Sequence, residues 1–288
     1  MKNHLFTEKP VRCVILMSGS GTNTEALLNF ERSLADPAYS VAALVTDAPE
    51  TSRTRELAAR YGLPLVEHDL KAFYRANGEG SVKLDTPRRR ELREEWSQGL
   101  WEKIKAFEPG FACFAGFTAL SNIARELPCL NVHPGDLTRC APDGSRAYAG
   151  LHVLPVEKAI LNGEKALRSS VIWVQPYFGN GSKEMDGGPI LGISAPLPVE
   201  LGEHSLQELE ECRRQRVPGV KCTDALRQLA LEHIERLKVH GDHQVFPRAV
   251  ADFAANCFRC EGEELYYNNE KVVTVEYSAS APPQKITL

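Results

Sequence analysis

Two polar side chains end an apolar run near the middle of the chain, in the sequence Asn131-Val132-His133-Pro134. The run has the length of a buried strand, and the alternation of side chains along a strand places Asn131 and His133 on one face. A carbonyl attacked by an amine needs a donor for the developing oxyanion and a group that handles the proton lost by nitrogen. An amide and an imidazole at the carboxyl end of a strand fit that chemistry, and open α/β sheets bind ligands at this edge.

A carboxylate that could hold the imidazole occurs further along, in Met185-Asp186-Gly187-Gly188-Pro189. Asp186 would stabilise the charged form of His133 and assist the transfer of a proton. The same residues also fit an ordinary role, because Asn and His occur at strand ends and Asp-Gly-Gly is a turn sequence. Residue types alone leave the catalytic and the structural interpretation open.

A glycine-containing loop, residues 18–23 (Ser-Gly-Ser-Gly-Thr-Asn), separates the first apolar run from an amphipathic stretch. Amides at the start of a helix bind anions, and Gly19 and Gly21 allow a close approach of the backbone. The dinucleotide fingerprint needs a third glycine where Thr24 stands, so the match is partial. Asp47 could bind a ribose, which keeps a nucleotide-binding module without chemistry as one alternative and a plain structural turn as another.

The elements that must position these residues follow from short apolar runs that alternate with longer amphipathic stretches. This pattern is typical of βαβ units, and it predicts an α/β, Rossmann-like, mainly parallel sheet flanked by helices, with its core over residues 1–200. The predicted strands are residues 11–17, 41–46, 63–66, 111–114, 129–132 and 170–174, and the predicted helices are 22–33, 52–61, 86–107 and 153–161.

The C-terminal third differs in composition, because charged helix follows Pro198. We expect the sheet to end near Ile193. Residues 201–288 are predicted to add a helical insertion and a hairpin that pack on the same domain. The predicted helices are residues 205–216 and 223–239, and the hairpin pairs 264–267 with 271–276 through a turn at Asn268-Asn269.

Composition limits the function classes. The 288 residues are 43% hydrophobic, enough for a large core, and the formal net charge is −4. No basic field would attract a nucleic acid or an anionic membrane, so we expect small-molecule substrates and neither of those partners. The first apolar run is too short to span a bilayer and lacks the features of a signal peptide, which predicts a cytoplasmic protein.

The eight cysteines are spread along a large chain, which favours reduced thiols over a disulfide framework. Cys257 and Cys260 have the spacing of half a metal site, yet no second pair stands nearby, so we expect no metal. The sequence leaves open whether the protein is a monomer or a homodimer.

Several segments, in order along nearly the whole chain, resemble the glycinamide ribonucleotide formyltransferase family. They are residues 14–23, Ala115-Gly116-Phe117 with Leu120-Ser121, residues 130–134, Gly150-Leu151-His152, residues 159–163, residues 186–190, and residues 242–247, which look like the family's acidic-His-x-x-aromatic-Pro segment.

The resemblance implies that Asn131, His133 and Asp186 form a catalytic trio, that 10-formyltetrahydrofolate donates the formyl group, and that glycinamide ribonucleotide, an intermediate of purine biosynthesis, accepts it. It also implies roles for residues around the trio. These are binding of the acceptor's phosphate by Gly21, Thr22 and Asn23, contact with the amine side of the acceptor by Asp242, folate binding by Phe117, Thr118 and Leu120, and orientation of a ligand by His152.

The chain departs from the family pattern on the donor and acceptor sides. Residues 118–120 replace a longer Met-Arg-Ile-Leu run, so the predicted folate wall is one residue shorter and lacks its Arg. Residues 135–137 replace Ser-Leu-Leu-Pro, segments 139–149 and 202–240 are longer than usual, and Asp242 stands in place of Glu. Another amine, such as that of an amino-sugar nucleotide, stays open as the acceptor.

Overall fold

The computed structural model describes residues 5–177, 186–217, 219–220 and 222–287. The strands within these residues are β1 (Val11–Leu16), β2 (Tyr39–Thr46), β3 (Leu65–Glu67), β4 (Phe111–Phe114), β5 (Cys129–His133), β6 (Ala166–Leu167), β7 (Ser170–Val174), β8 (Ile190–Ser194), β9 (Leu197–Pro198), β10 (Phe258–Glu261), β11 (Glu264–Tyr267), β12 (Glu270–Val272), β13 (Thr274–Ser278) and β14 (Ala281–Ile286). The α-helices are α1 (Thr22–Ser33), α2 (Thr54–Tyr61), α3 (Leu70–Ala76), α4 (Pro87–Ile104), α5 (Leu154–Leu161), α6 (Leu206–Arg214), α7 (Ala225–Leu237) and α8 (His243–Ala254).

In the described residues, nine strands form one sheet in the order β14-β13-β8-β7-β5-β4-β1-β2-β3. The five strands at one end of this order, β5-β4-β1-β2-β3, run parallel to one another. β7 runs antiparallel between β5 and β8, and β13 is again parallel to β8. The predicted mainly parallel, Rossmann-like sheet is confirmed.

The prediction that the sheet ends near Ile193 is wrong. β13 pairs with β8, with Val275 opposite Gly192 and Tyr277 opposite Ser194, and β14 adds an edge strand. The predicted turn at Asn268-Asn269 is confirmed, with φ angles of 49° and 68° that suit a two-residue hairpin. The second strand of the predicted hairpin, residues 271–276, is divided between two sheets. Its first part, β12, pairs with β11, whereas its second part belongs to β13 in the main sheet. Pairing partners that distant leave no local pattern in the sequence.

Most predicted helices agree with the structure to within a few residues. Thr86 caps α4, where its hydroxyl accepts from the Arg89 amide at 3.3 Å and Pro87 occupies the first turn. The sequence analysis did not predict two helices that the structure contains, α3 and α8. α8 contains Pro247, which predicts a break, since proline lacks the amide that the helix ladder needs.

Alternate side chains of β1 serve two cores on opposite faces of the sheet. Cys13 and Ile15 pack on the side of α1 and α8. Val14 and Leu16 pack on the side of α3 and α4. Both faces of β1 are therefore buried, as expected for a central parallel strand, and the loop that follows it is fixed by two cores.

Helix α8 is the element that fills the first of these cores. The Phe253 ring contacts those of Phe6, Phe111 and Trp173, with centroids 5.5, 5.7 and 5.0 Å apart. A turn of π-helix, Lys238–Asp242, precedes α8 and connects it to α7. The packing of α8 thus determines where Asp242 lies.

The longer segment between residues 202 and 240 packs on α5 through its own apolar cluster, which includes Leu209, Leu226 and Val156. An ion-pair network crosses this interface. The almost fully buried Glu157 accepts from Arg216 at 2.7 Å, and Arg216 also bonds Asp224. None of the helices in the described part of the chain combines the length and apolar character needed to cross a bilayer.

Replacing Phe253 by Ala should lower the free energy of unfolding by about 3–5 kcal/mol, because a ring that is 1% exposed leaves a cavity among three aromatic neighbours. Urea denaturation measures the loss. Leu231→Ala is a suitable control, since Leu231 is 42% exposed on α7 and its removal should change stability by less than about 0.5 kcal/mol. Equal effects of the two substitutions would contradict the central position of α8.

Candidate active site

The loops that follow β1 and β4 are bonded to each other at the carboxyl edge of the sheet. The Ser18 hydroxyl donates to Asp47 Oδ1 at 2.6 Å and accepts from the Thr118 amide at 2.9 Å. The Ser18 amide donates to the Gly116 carbonyl at 3.2 Å. Burial raises the pKa of the Asp47 carboxyl, and the bond from Ser18 opposes that shift. Ser18 thereby joins the loop after β1 to the loop after β4 and to Asp47, which has a structural role here.

His133 ends β5 and is buried, with 3% of its surface exposed. Its Nε2 lies 2.7 Å from the Tyr148 carbonyl oxygen. Because a carbonyl can only accept, Nε2 carries a proton in this arrangement. Nδ1 lies 3.5 Å from Asp186 Oδ1, so it is the ring nitrogen that faces a carboxylate. The sequence-based pairing of His133 with Asp186 is therefore present in the structure.

Asp186 is held in an unusual backbone conformation, with a φ of 55°. Its Oδ2 accepts from the Gly150 amide at 2.9 Å, which leaves Oδ1 to face His133. The Arg146 guanidinium donates to the carbonyls of Asp186 and Gly188. A non-glycine residue at positive φ costs about 1–3 kcal/mol and persists only where its surroundings enforce it.

Asn131 lies two residues before His133 on the same face of β5, about 6.6 Å away by strand geometry. Its side chain is half-buried, and its amide forms no hydrogen bond with any of the described residues. A donor that is partly shielded from water and not engaged by the protein can bind a ligand oxygen. Asn131 and His133 thus share one face at the end of β5, and Asp186 lies opposite His133.

The glycine loop begins α1. Gly21 occupies the N-cap with a φ of 73°, and a Cβ there would lie 2.5 Å from Leu57 Cδ1 and 2.7 Å from Met17 Cε. Thr24, which stands where the dinucleotide fingerprint has glycine, is fully buried and donates to Met17 Sδ. The first amides of α1 remain available to an anion, since a helix leaves them without an internal partner.

Asn23 and Asp242, both assigned to the acceptor side, bond to each other. Asn23 Nδ2 donates to Asp242 Oδ2 at 3.0 Å, and the Ser169 hydroxyl donates to Oδ1 at 2.5 Å. Burial raises the pKa of the Asp242 carboxyl, and these two hydrogen bonds oppose the shift. The nearby His133 imidazole also favours the charged form, which places Asp242 within electrostatic reach of the trio.

The residues assigned to folate follow β4. Phe117 is half-buried and stacks on Trp96 with centroids 6.4 Å apart, and the Leu120 carbonyl accepts from Arg93 at 3.1 Å. Thr118 is exposed. His152 lies apart from the trio's contacts: it is exposed, has a φ of 56°, and makes no hydrogen bond within the described part of the chain.

Several residues of the site were not identified from the sequence. The Tyr148 carbonyl, the Gly150 amide and the Ser169 hydroxyl each bond a predicted site residue, and Arg146 bonds the turn of Asp186. Two of these contacts use backbone groups, which every residue type supplies, so no sequence signal could have revealed them. Arg146 lies in the longer segment 139–149, whose length was the only indication.

All eight cysteines are free thiols. Cys257 and Cys260 are half-buried, and burial raises the pKa of the Cys257 thiol to about 11. Among the described residues, no group of three or more His, Cys, Asp or Glu side chains could hold a metal ion.

Comparison with known proteins identifies the fold. Glycinamide ribonucleotide transformylase 1 from Symbiobacterium toebii superposes with a TM-score of 0.59 at 22% identity, over 90% of this chain and 95% of that structure. Phosphoribosylglycinamide formyltransferase from Brucella melitensis gives 0.53 at 24% identity, over 85% and 96%. A formyltetrahydrofolate deformylase from Pseudomonas syringae pv. tomato gives 0.60 at 14% identity, over 89% and 65%. The chain has the formyltransferase fold.

Sequence comparison is weaker but agrees with the fold. No protein-family model matches the chain. The trifunctional purine biosynthetic protein adenosine-3 of Drosophila pseudoobscura pseudoobscura is 25% identical over 259 residues, which are 88% of this chain and 14% of that protein. The chain therefore spans a small part of this curated relative. The resemblance noted in the sequence is confirmed by these similarities.

Replacing Gly21 by Ala should destabilise the protein by about 1–3 kcal/mol, because the residue would be strained at positive φ and would press on Leu57 and Met17. Gly19→Ala is the matched control in the same loop, since a Cβ there meets nothing within 4 Å. Urea denaturation compares the two variants. A loss as large for Gly19→Ala would show that the loop conformation is not the cause.

Replacing Asp242 by Asn should change how stability depends on pH. A raised pKa means that the folded protein binds this proton more tightly than the unfolded chain, so the wild type loses stability as pH rises from about 4 through the raised pKa. The asparagine side chain of the variant carries no charge and escapes that loss. The difference in Tm, variant minus wild type, should therefore increase between about pH 4 and 8 in thermal denaturation. A difference that stays constant with pH would contradict a buried carboxylate with a raised pKa.

Proposed function

We propose that this chain is a formyltransferase that uses 10-formyltetrahydrofolate as donor and the amine of glycinamide ribonucleotide as acceptor. The observation that carries the proposal is the pairing of His133 with Asp186 at the carboxyl end of β5, on the face of the strand that also bears Asn131. An amide donor, an imidazole and a carboxylate are the groups that acyl transfer to an amine requires. Their position at the ligand-binding edge of an open α/β sheet supports the same interpretation.

The proposed reaction begins when the acceptor amine attacks the formyl carbon. A carbon–nitrogen bond forms and the carbonyl electrons move to oxygen, where the Asn131 amide and the protonated His133 stabilise the negative charge. The bond from the formyl carbon to the donor's nitrogen then breaks. The proton lost by the attacking amine is delivered to that leaving nitrogen, so the products are the formylated acceptor and tetrahydrofolate.

The contacts of His133 support the roles that we assign to the imidazole and to Asp186. The Tyr148 carbonyl occupies Nε2, so proton exchange in our proposal takes place at Nδ1. The 3.5 Å separation between Nδ1 and Asp186 Oδ1 is longer than a charge-assisted hydrogen bond of about 2.7–2.9 Å. Asp186 thus stabilises the imidazolium while leaving its proton available to a substrate atom.

The glycine loop supports a phosphorylated acceptor. The first amides of α1 form an anion site, and Gly21, Thr22 and Asn23 are the residues we assign to the phosphate. Asp242, bonded to Asn23, lies between this loop and His133 and would face the ribose and amine of the acceptor. The similarity to a purine biosynthetic protein and to phosphoribosylglycinamide formyltransferases favours glycinamide ribonucleotide over an amino-sugar nucleotide.

The donor site is assigned to the loop after β4. Phe117, Thr118 and Leu120 offer an aromatic ring, an exposed side chain and backbone groups beside Asn131, since Phe114 pairs with Asn131 across β4 and β5. A flat, partly polar ring system such as a pteridine fits a wall of this composition.

A second candidate is hydrolysis of the same donor, with water in place of the amine. Two observations favour it: the similarity in fold to a formyltetrahydrofolate deformylase, and the direct bond between Asn23 and Asp242, which engages both acceptor residues. Incubation with 10-formyltetrahydrofolate, with and without glycinamide ribonucleotide, separates the two. Our proposal expects the formylated ribonucleotide by mass spectrometry, whereas release of formate at the same rate without acceptor would favour the hydrolase.

His133→Ala and Asp186→Asn should each lower kcat by about 10²- to 10⁴-fold, since each removes proton handling or charge stabilisation at the reacting carbon. Production of tetrahydrofolate in the presence of acceptor measures the effect. His204→Ala, an exposed histidine outside the site, should leave the rate unchanged. Near-wild-type turnover by either site variant would refute the mechanism, and saturable nucleotide binding without turnover would point to a non-catalytic module.

A further inference from the structure

One segment, residues 146–150, holds both His133 and Asp186. Three alternate residues of this segment supply the bonds: Arg146 donates to the Asp186 carbonyl, the Tyr148 carbonyl accepts from His133 at 2.7 Å, and the Gly150 amide donates to the Asp186 carboxylate at 2.9 Å. Residues 146–150 therefore set the distance between the imidazole and the carboxylate. Arg146 is the member of this segment that acts through its side chain.

The Arg146 guanidinium fits a specific feature of the turn that carries Asp186. Its two terminal nitrogens donate to the carbonyls of Asp186 and Gly188, two residues apart. Both carbonyls lie within reach of one guanidinium, and both residues have positive φ, 55° and 98°. A planar fork of donors suits two converging oxygens, whereas a single ammonium group suits one.

The turn depends on outside support because it is strained and tightly packed. Asp186 at positive φ costs about 1–3 kcal/mol. A Cβ at Gly188 would collide with the Trp173 carbonyl oxygen, so the backbone there runs directly against β7. A turn with this strain relaxes when the groups that hold it are removed, and relaxation would carry the carboxylate away from His133.

The segment that bears Arg146 is itself anchored. The Tyr148 ring is buried and its hydroxyl donates to Glu164 at 2.6 Å, just beyond α5. The Ala147 amide donates to the Arg139 carbonyl at 2.9 Å, and a β-bridge joins Cys140 to Arg146. Arg146 is half-buried, so its hydrogen bonds are shielded from competing water. The backbone that bears Arg146 is thus held by contacts other than those with the turn of Asp186.

We propose that Arg146 is a positioning residue that holds the Asp186 turn in its strained conformation and so keeps the carboxylate opposite His133. It touches no reacting atom and acts through Asp186. The inference rests on the proposed function for its kinetic consequence, and it concerns a residue of the segment 139–149 that lengthens this chain.

The kinetic test combines Arg146→Met with Asp186→Asn. Arg146→Met keeps the length of the side chain and removes both donors, and we expect kcat to fall about 10- to 100-fold with a smaller change in KM, as expected when a catalytic group is displaced by about 1 Å. In the Asp186→Asn background the same substitution should have no further effect. Equal losses in both backgrounds would show a general structural role and overturn the proposal, as would an unchanged kcat for Arg146→Met.

Two further variants make the comparison specific. Arg214→Met is the matched control, because Arg214 pairs with Glu211 at the surface of α6, outside this segment, and its kcat should equal that of wild type. Arg146→Lys retains the charge but serves one carbonyl, so its kcat should lie between those of wild type and Arg146→Met. If Arg146→Met does not fold, the lysine variant in the two backgrounds decides, and a loss that persists without the Asp186 carboxylate overturns the inference.

A crystal structure of Arg146→Met tests the inference without relying on activity. We expect the Asp186 carboxylate to leave the Gly150 amide and to lie farther than 3.5 Å from His133 Nδ1. An unchanged turn would overturn the positioning role even in an active enzyme. A wild-type protein that transfers no formyl group would overturn the proposed function, while a displaced carboxylate in this variant would still support the role of Arg146.

Discussion

The hydrogen bond between His133 Nε2 and the Tyr148 carbonyl sets the chemistry of the whole site. Because the carbonyl can only accept, it fixes a proton on Nε2 and leaves Nδ1 as the nitrogen that faces Asp186. The bond also requires two elements to stay in place, the end of β5 and the segment before α5. Both are held by burial: β5 is a central strand of the sheet, and the Tyr148 ring is 4% exposed. The reactivity of the imidazole is thus a property of packing at some distance from it.

The residues that we assign to the acceptor combine close packing with polar groups that are poorly satisfied within the described part of the chain. Asp242 lies in a π-turn where Gly241 packs so closely on Ser169 that a Cβ would meet its hydroxyl at 2.5 Å. This packing buries a carboxylate and leaves the Asn23 Oδ1 atom without a hydrogen-bond partner in the described part of the chain. A buried carboxylate with a raised pKa lowers stability at neutral pH. Such local conflicts are typical of binding sites, where side chains are arranged for a ligand rather than for the fold.

The sequence alone could predict those parts of the molecule that depend on local patterns. The apolar runs placed β1 and β5 within a residue of their ends, and the period of two along a strand was enough to put Asn131 and His133 on one face. It could not show that β13 joins β8 across some eighty residues, because pairing between distant strands leaves no local periodicity. Helix α8 was obscured by Pro247. The bonds to Tyr148 and Gly150 use backbone groups, which are the same in every residue. The contacts that hold His133 and Asp186 could therefore be found only in the three-dimensional structure.

The positive φ of Asp186 has a consequence for how this fold diverges. Besides glycine, the left-handed region is visited most readily by Asn and Asp. A single nucleotide change converts an Asp codon into an Asn codon, and the resulting chain would keep the turn, its backbone bonds and its packing while losing the carboxylate. The carboxylate can therefore be lost by a change at this one position while the backbone structure stays the same. In another chain of this fold, an Asn at this turn would therefore mark the loss of the carboxylate while the scaffold that carries it is retained.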